Sequence, residues 1–507
     1  MKVRLLTILL SFLILLPLQG QVKETFEQYR QRKRQEFSNY QKEKRREFNE
    51  YQERKRKEFI EYRRKKNAEF ADYLGKPWEP FQLEKPMELP SKPDPVKPQV
   101  APKQDPNALP DKPSELPQGK LVTTVMPKPA PPLDVPVIEQ KKSQYTKTVS
   151  LFDTPVELEL NPALRFKLNN ISEAEVDRIW HTFNVEAMDE LFFSCENLRR
   201  DLNLNGWALL NLCKIVGEEV EGKGTNESVV LQTYLLTQFG YDARLASVNG
   251  NRNRLVMLCP VDTDLADISF LNQDGKKFYV WADVKNRQIN TYRLNYEKAT
   301  NSLNFSNSTS IQLSQSMLPV SSFVSKWNKE TQVEVSAKKS LMAYYSEMPQ
   351  FMDKTLYASQ PMDSEMERQV LPSLRNAIIG KSELEAANIL LHFVQTAFEY
   401  KSDFEQFGYE RSFFKEELFY YPYSDCEDRA ILFSHLVRKL MGLKVVMLHY
   451  PNHSCTAVNF KSDISGDYVM VNGSKYVVCD PTYINANVGQ CQPSFVGVQP
   501  EVHVISM

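Results

Sequence analysis

The sequence lacks several features that define common classes of protein. After the first twenty residues, no apolar run approaches the roughly 20 residues that a membrane helix requires. Seven cysteines in 507 residues are few for a disulfide-built fold, and the odd number leaves at least one thiol free. No P-loop, GxGxxG or HExxH pattern occurs, and the six histidines are scattered. We therefore expect no metal and no cofactor. The net charge of −1 does not indicate which kind of partner the protein has.

Residues 1–20 have the pattern of a secretory signal peptide. Lys2 and Arg4 precede an apolar run over 5–16, which is too short for a comfortable membrane span. Gln21, and not a cysteine, comes directly after Gly20, so a lipid anchor is unsupported. We expect a periplasmic or secreted protein without a transmembrane anchor after cleavage. The alternative is an uncleaved anchor, because Gly20 alone matches the small-residue pattern before a cleavage site.

Residues 22–75 contain an eleven-residue repeat that predicts one long helix. Eleven residues make three helical turns, so each aromatic pair returns to nearly the same face. The segment has 17 Lys or Arg against 11 Asp or Glu, and its charges lie at helical spacing. We expect self-association as a coiled coil or contact with an anionic envelope polymer, or else a solvated spacer helix. The repeating residues are Phe26, Phe37, Phe48, Phe59 and Phe70, followed by Tyr29, Tyr40, Tyr51, Tyr62 and Tyr73.

Residues 76–140 hold 17 of the 30 prolines and few aromatic residues. This composition is typical of a semi-extended linker without a core of its own. Apolar periodicity returns from about residue 141, and the remaining chain is long enough for two domains.

The best indication of function lies in the segment 381–507. Cys426 begins an apolar helix that stops at Gly442, and Ser424 or Asp425 can cap the start of that helix. Helix N-termini and nearby imidazolium groups favour the thiolate form of a cysteine. His453 starts a predicted strand, and Asp480 ends a hairpin built around Asn-Gly. Adjacent antiparallel strands would bring Asp480 beside His453, giving a nucleophile, a base and an orienting carboxylate.

Two assignments within this site have alternatives. His449 could replace His453 as the base, although His449 ends an apolar strand and is more simply a structural residue. Asp480 could be only a turn residue before Pro481. An oxyanion hole is also needed, and the backbone N–H of Cys426 is its natural donor.

Cys479 and Cys491 flank a short loop and could form a disulfide, whereas Cys426 is expected to be free.

The order of Cys426, His453 and the Asp480-Pro481-Thr482 ending resembles the transglutaminase-like branch of the papain-like cysteine enzymes. The resemblance covers about 382–507 and is closest to secreted bacterial members with no described substrate. It departs from the family pattern after the histidine, where Ser454 and Cys455 stand in place of a small residue and Trp. The resemblance implies an α+β fold with the cysteine-bearing helix packed on an antiparallel sheet.

The resemblance also implies that an aromatic or amide side chain upstream of the cysteine assists the oxyanion. Tyr421 and Tyr423 are the candidates, and their alternative role is packing in the cleft wall.

Residues 141–290 contain an echo of the second segment and predict a degenerate copy of the same fold. Counting back from Gly240, the counterpart of Gly442, puts Gly224 where the nucleophile stands. Asp283 then corresponds to Asp480, while Asn251, Asn253 or Arg254 would lie near the histidine position. The alternative is that helix–strand–hairpin units look alike in a single sequence. Residues 291–380 link the copies, with strands expected over 306–314 and 332–335.

Two functions are compatible with these residues and segments. The first is an exported cysteine peptidase, amidase or acyltransferase that acts on amide or peptide bonds through a thioester. We expect hydrolysis rather than cross-linking, because an amine acceptor would need its own site. Its partners would be protein or peptide substrates, including cell-wall peptides, and not nucleic acid. The second is a non-catalytic scaffold that binds envelope peptides or proteins on a coiled-coil stalk.

Overall fold

The computed structural model describes residues 25–89, 98–105, 108–110, 113–117, 119–123, 135–137, 142–248, 254–284, 288–293, 296, 300–306 and 309–505. The expected signal peptide, 1–20, lies outside these residues. The chain divides into two compact units, Met1–Phe59 and Ile60–Met507. The described residues form a mixed α+β fold, as expected at that coarser level.

The helices are α1 Phe26–Leu74, α2 Glu173–His181, α3 Glu186–Asp201, α4 Gly206–Glu221, α5 Asn226–Gln238, α6 Lys339–Glu347, α7 Thr355–Ser359, α8 Ser364–Ile378, α9 Glu383–Ala397, α10 Asp403–Phe407 and α11 Cys426–Met441. The strands are β1 Trp78–Gln82, β2 Leu121–Thr123, β3 Thr146–Leu151, β4 Thr154–Glu159, β5 Arg244–Val248, β6 Arg254–Pro260, β7 Phe270–Gln273, β8 Lys276–Val280, β9 Gln288–Tyr292, β10 Ser321–Val324, β11 Gln332–Val335, β12 Glu399–Tyr400, β13 Tyr423–Ser424, β14 Lys444–Tyr450, β15 His453–Asn459, β16 Tyr468–Val471, β17 Ser474–Cys479 and β18 Glu501–Val504. Among the described helices, none combines the length and apolarity needed to cross a membrane.

The 49-residue helix α1 confirms the helix expected from the eleven-residue repeat. In the first unit, an ion pair between Lys33 and Glu36 recurs eleven residues later between Lys44 and Glu47. Phe26, Phe37 and Phe48 in this unit are exposed. The repeat therefore produces a charged helix with a spaced row of solvent-facing aromatic rings.

The last turns of α1 belong to the second unit and are buried there. Phe70 packs 5.4 Å from the ring of Trp180, and Arg63 forms a 2.7 Å ion pair with Asp189. Both members of this ion pair are buried. The hydroxyl of Tyr292 donates a hydrogen bond to the carbonyl of Leu74. The C-terminal end of the predicted stalk is thus an integral part of the folded unit.

Two six-stranded sheets dominate the second unit, and their strands follow the same order. The first sheet runs β1-β9-β5-β6-β8-β7, and the second runs β2-β18-β14-β15-β17-β16. Neighbouring strands are antiparallel throughout, except that β2 lies parallel to β18. Helix α5 packs on the first sheet and α11 on the second. This shared order favours the hypothesis that 141–290 is a degenerate copy, which stays an inference.

The described parts of the proline-rich segment differ from the expected linker. Strand β1 forms one edge of the first sheet, and β2 forms the corresponding edge of the second. Leu83 and Leu116 are buried in the cores of the first and second sheets. Proline tolerates such edge positions, because one side of an edge strand needs no ladder hydrogen bonds. Parts of the segment are therefore built into both sheets.

The region between the two sheets contains smaller elements. Strands β10 and β11 pair, which confirms the strand expected over 332–335. The strand expected over 306–314 is absent from the described residues 306 and 309–314. The Ser340 hydroxyl donates a 2.8 Å hydrogen bond to the carbonyl of Ser314, which anchors the end of this irregular stretch.

Candidate active site

The helix α11 begins at Cys426 because Asp425 caps it. The Asp425 carboxylate accepts a 3.1 Å hydrogen bond from the Glu427 N–H, and Asp428 completes a capping box by accepting from the Asp425 N–H. Gly442 ends the helix in the left-handed conformation, at a φ of 66°. These ends confirm the predicted helix and select Asp425 from the two expected caps. Cys426 consequently lies in the first turn, at the positive end of the helix dipole.

The strands that carry the other two residues also match the prediction. His453 is the first residue of β15, and Asp480 directly follows β17. Asn472 and Gly473 form the expected tight turn, both with positive φ. Thr456 pairs with Cys479 across the antiparallel strands β15 and β17, so Asp480 is carried next to the start of β15.

His453 and Asp480 form a buried pair. Nε2 of His453 lies 2.8 Å from Oδ2 of Asp480, and both side chains are almost wholly excluded from solvent. Burial alone would lower the pKa of His453, but the charge and hydrogen bond of Asp480, with a hydrogen bond to Cys426, raise it to about 10. Because Asp480 occupies Nε2, Nδ1 is the ring nitrogen left for Cys426. The three predicted residues are thus brought together in the predicted order.

The Asp480 carboxylate is held in its ionised form by several donors. Its Oδ1 accepts hydrogen bonds from the backbone N–H groups of Thr482 and Tyr483, at 2.9 and 3.1 Å. Burial would raise the pKa of Asp480, but the charge of His453 and these hydrogen bonds lower it overall. The Gln395 amide also donates to the Asp480 carbonyl at 3.0 Å. The orienting carboxylate is therefore fixed in charge and position.

Gln492 joins this group and was not found from the sequence. Its Nε2 lies 2.8 Å from Oδ2 of Asp480 and 3.1 Å from Nε2 of His453. Because the amide nitrogen can only donate, its bond must go to the carboxylate, and the contact with His453 is close packing. Gln492 lies in an irregular segment after β17 where no local pattern marks it, so only the fold could reveal it.

Aromatic rings cover the imidazole of His453. Phe495 stacks on it with ring centres 4.9 Å apart, and Tyr450 lies on the ring at 6.4 Å. Cys426 itself is only 2 % exposed. The reacting groups are consequently shielded from water, which strengthens electrostatic interactions among them.

The alternative base, His449, has other contacts. Its Nδ1 lies 2.9 Å from the Ser454 hydroxyl, and its ring packs edge-on against His503 at 4.5 Å. These contacts describe a structural residue of the sheet. The arrangement with Asp480 belongs to His453, in agreement with the preferred assignment.

Tyr421 and Tyr423 have packing contacts that account for their rings. Tyr421 stacks on Phe413 at 4.9 Å and lies under the guanidinium of Arg411. The Lys401 ammonium lies 4.0 Å from the ring centre of Tyr423. These contacts match the packing alternative, and an oxyanion role for either tyrosine stays a prediction.

Acidic side chains surround the start of α11. Oxygen atoms of Asp403, Glu410, Asp425 and Glu427 lie close enough together to hold a cation. The ammonium of Lys354 already lies among them, in ion pairs with Glu427 and, at 3.5 Å, with Glu410. Lys354 thus supplies positive charge that a metal ion would otherwise bring.

These neighbouring acids also perturb one another. Burial, followed by the charges of Asp425, Asp428 and Glu427, raises the pKa of Asp403 to about 11. Asp403 therefore favours its neutral form, which limits the negative charge at the start of α11.

The first sheet has no thiol at the corresponding position. Helix α5 starts at Asn226 and is three residues shorter than the 16-residue α11, so counting from the helix start gives Asn226 rather than Gly224. Arg254, the first residue of β6, corresponds to His453. Leu258 pairs with Val280 in the first sheet, and Ala457 pairs with Val478 in the second, and all four residues lie in the sheet cores. Asp480 lies two residues after Val478, and the residue two after Val280 is Ala282. Ala282 rather than Asp283 therefore corresponds to Asp480. The first copy, if it is one, therefore lacks all three groups.

All seven cysteines lie in the described residues and none forms a disulfide, including Cys479 and Cys491, which the sequence allowed to pair. Burial raises the pKa of Cys479 well above its usual value. A comparison of the chain with models of known families, with curated proteins and with solved structures found no match.

Proposed function

We propose that this chain is an exported cysteine enzyme of the transglutaminase-like, papain-like class that acts on amide or peptide bonds. The observation that carries the proposal is the buried 2.8 Å pair of His453 and Asp480 beside a cysteine in the first turn of a helix. The class rests on the sequence resemblance, and the export on the N-terminal pattern of residues 1–20. Periplasmic or secreted peptides, including cell-wall peptides and glutamine side chains, are the substrates that this chemistry accepts.

The proposed reaction follows from the charges in the site. The raised pKa of His453 makes it an imidazolium at neutral pH, which stabilises a neighbouring thiolate. The sulfur of Cys426 attacks the substrate carbonyl, and His453 then gives its proton to the departing amine. Water attacks the resulting thioester while His453 accepts the water's proton, so the carboxylic acid product leaves and the thiolate–imidazolium pair is restored. Asp480 orients the imidazole throughout.

The oxyanion that forms during each attack needs hydrogen-bond donors. Cys426 is the first residue of α11, where backbone N–H groups point away from the helix and are not used in its internal hydrogen bonds. The Asp425 carboxylate accepts from the N–H groups of Glu427 and Asp428, and the Cys426 N–H is the backbone donor closest along the chain to the sulfur. We assign it this role.

The near-complete burial of Cys426 favours a second candidate, a non-catalytic scaffold that binds envelope peptides or proteins. The experiment that separates the two is cleavage of a quenched fluorescent peptide library by the full chain and by Cys426→Ala. Loss of cleavage in C426A, with activity retained in Cys491→Ala, would support the enzyme. Equal activity in both variants, or none in any form of the protein, would leave the scaffold.

A further inference from the structure

A cleft of about 800 Å³ lies at the end of β8, between residues of the first sheet and its helices on one side and 346–350, Tyr409 and Arg411 on the other. Clefts of about 300–1,000 Å³ are typical of small-molecule sites. None of Cys426, His453 and Asp480 lines it. The lining residues with the most informative chemistry are Trp207, Asn211, Gln232, Ser269 and Trp281.

The buried polar side chains of this cleft carry no unpaired charge. Asn211 and Gln232, from α4 and α5, are 9 % and 8 % exposed, and the equally buried Arg411 is ion-paired with Glu417 at 2.5 Å. The other charged residues that line the cleft, Lys214, Asp267, Asp283 and Glu347, are exposed and belong to its rim. Burying an ionised ligand group where no unpaired counter-charge is available is costly, so the cleft favours a neutral ligand.

Two tryptophans form an aromatic wall beside these amides. The rings of Trp207 and Trp281 lie 5.9 Å apart at 44°. Their Nε1 donors are buried and have no hydrogen-bond partner among the described residues. An unsatisfied buried donor costs roughly 1–3 kcal/mol, and a ligand oxygen reached by a small ring movement would remove that cost.

These groups fit the chemistry of a sugar. Carboxamides place a donor and an acceptor side by side, which matches the donor–acceptor character of neighbouring hydroxyl groups. Aromatic rings pack against the apolar C–H faces of a pyranose, and indole N–H groups donate to its oxygens. We propose that this cleft binds a short neutral saccharide. The site is separate from the cysteine chemistry and does not depend on it.

Isothermal titration calorimetry on the full chain tests the proposal, with maltotriose, cellotriose, N,N′,N″-triacetylchitotriose and mannotriose as probes. At least one should bind saturably, with a shift in tryptophan fluorescence that Trp281→Phe abolishes. Gln232→Leu should weaken binding about 5- to 10-fold, the usual effect of losing one or two hydrogen bonds. Should Q232L fold poorly, Gln232→Glu applies the same test, because a carboxylate cannot donate.

Two controls isolate the cleft. Trp327→Phe changes a tryptophan that stacks on His392 outside this cleft, and it should leave affinity unchanged. Cys426→Ala should also bind normally, so that failure here and failure of the proposed enzyme are distinguishable. The proposal is overturned by the absence of saturable binding for all four sugars at millimolar concentration. It is equally overturned by unchanged affinity in Q232L and W281F, or by tighter binding of trialanine than of any sugar.

Discussion

Replacing Asp480 with Asn removes the charge that controls His453 while keeping the shape of the side chain. In the native protein, burial opposes protonation of His453, and the Asp480 carboxylate overcomes it to give a pKa of about 10. Without that charge, burial prevails, and we expect the pKa of His453 to fall below its usual 6.5. At 1.36 kcal/mol per unit, a fall of about 3.5 units corresponds to about 5 kcal/mol. Breaking a buried ion pair by removing one partner costs a similar amount, about 3–5 kcal/mol.

The titration of His453 can be followed by NMR of histidine-labelled protein, with the signal assigned by its loss in His453→Gln. The native signal should remain that of an imidazolium through pH 7.5, whereas D480N should give a neutral ring at that pH. Alkylation of Cys426 by iodoacetamide at about pH 6–7 should also slow tenfold or more, because the neighbouring positive charge is lost.

Asp283→Asn is the matched control, since it makes the same change at an exposed position of the first sheet. It should leave both readouts within about twofold of the native protein. The reasoning fails if His453 titrates alike in native protein and D480N, or if D283N slows alkylation as much as D480N does.

Three further predictions concern pH, the helix and the proline-rich segment. The raised pKa of His453 contributes stability that is complete below about 6.5 and is lost as pH rises through about 10, while the lowered pKa of Asp480 contributes stability that is lost in acid. We would measure the free energy of unfolding in urea for the native protein and for a His453→Gln, Asp480→Asn double variant. The difference between the two should become smaller from pH 6 to pH 9.5, and a constant difference would contradict this prediction. A peptide of residues 22–58 should be helical and sediment as a multimer that dissociates when its three phenylalanines become Ser, and a native peptide that is monomeric would exclude self-association. Leu116→Ala should lower the free energy of unfolding by about 2–4 kcal/mol, because the Leu116 side chain is only 2 % exposed. The control Val137→Ala, at an exposed position, should change this free energy by less than about 0.5 kcal/mol. Equal effects of the two changes would contradict the conclusion that the proline-rich segment contributes to the core.

The parts of the site that the sequence predicts correctly are encoded locally. Asp425, Cys426 and Gly442 mark the two ends of a helix within one continuous stretch, and Asn472-Gly473 defines a hairpin by its turn chemistry alone. Once both elements are correct, antiparallel pairing leaves little freedom in how His453 and Asp480 meet. The helix, strand and triad order were therefore predictable.

The parts that were not predicted depend on long-range packing. Gln492 and Phe495 reach His453 from irregular chain, where neither periodicity nor a turn signal gives their direction. Helix α5 is three residues shorter than α11, and this difference in length cannot be seen when positions are counted back from Gly240 and Gly442. Edge strands in the proline-rich segment were missed because composition describes the average behaviour of a segment and not its few apolar residues, such as Leu116.

The pairing of β2 with β18 also determines when the second sheet can be completed. Leu121 pairs with Val502, which lies 381 residues further along the chain. Closing so long a loop is slow, because its entropy must be lost before the contact is gained. A chain truncated before residue 500 would leave the edge of β14 and the side of β2 unpaired, and both could template aggregation. Strand β18 thus acts as a completion check, because β2 joins β14 only in a chain that extends through residue 504.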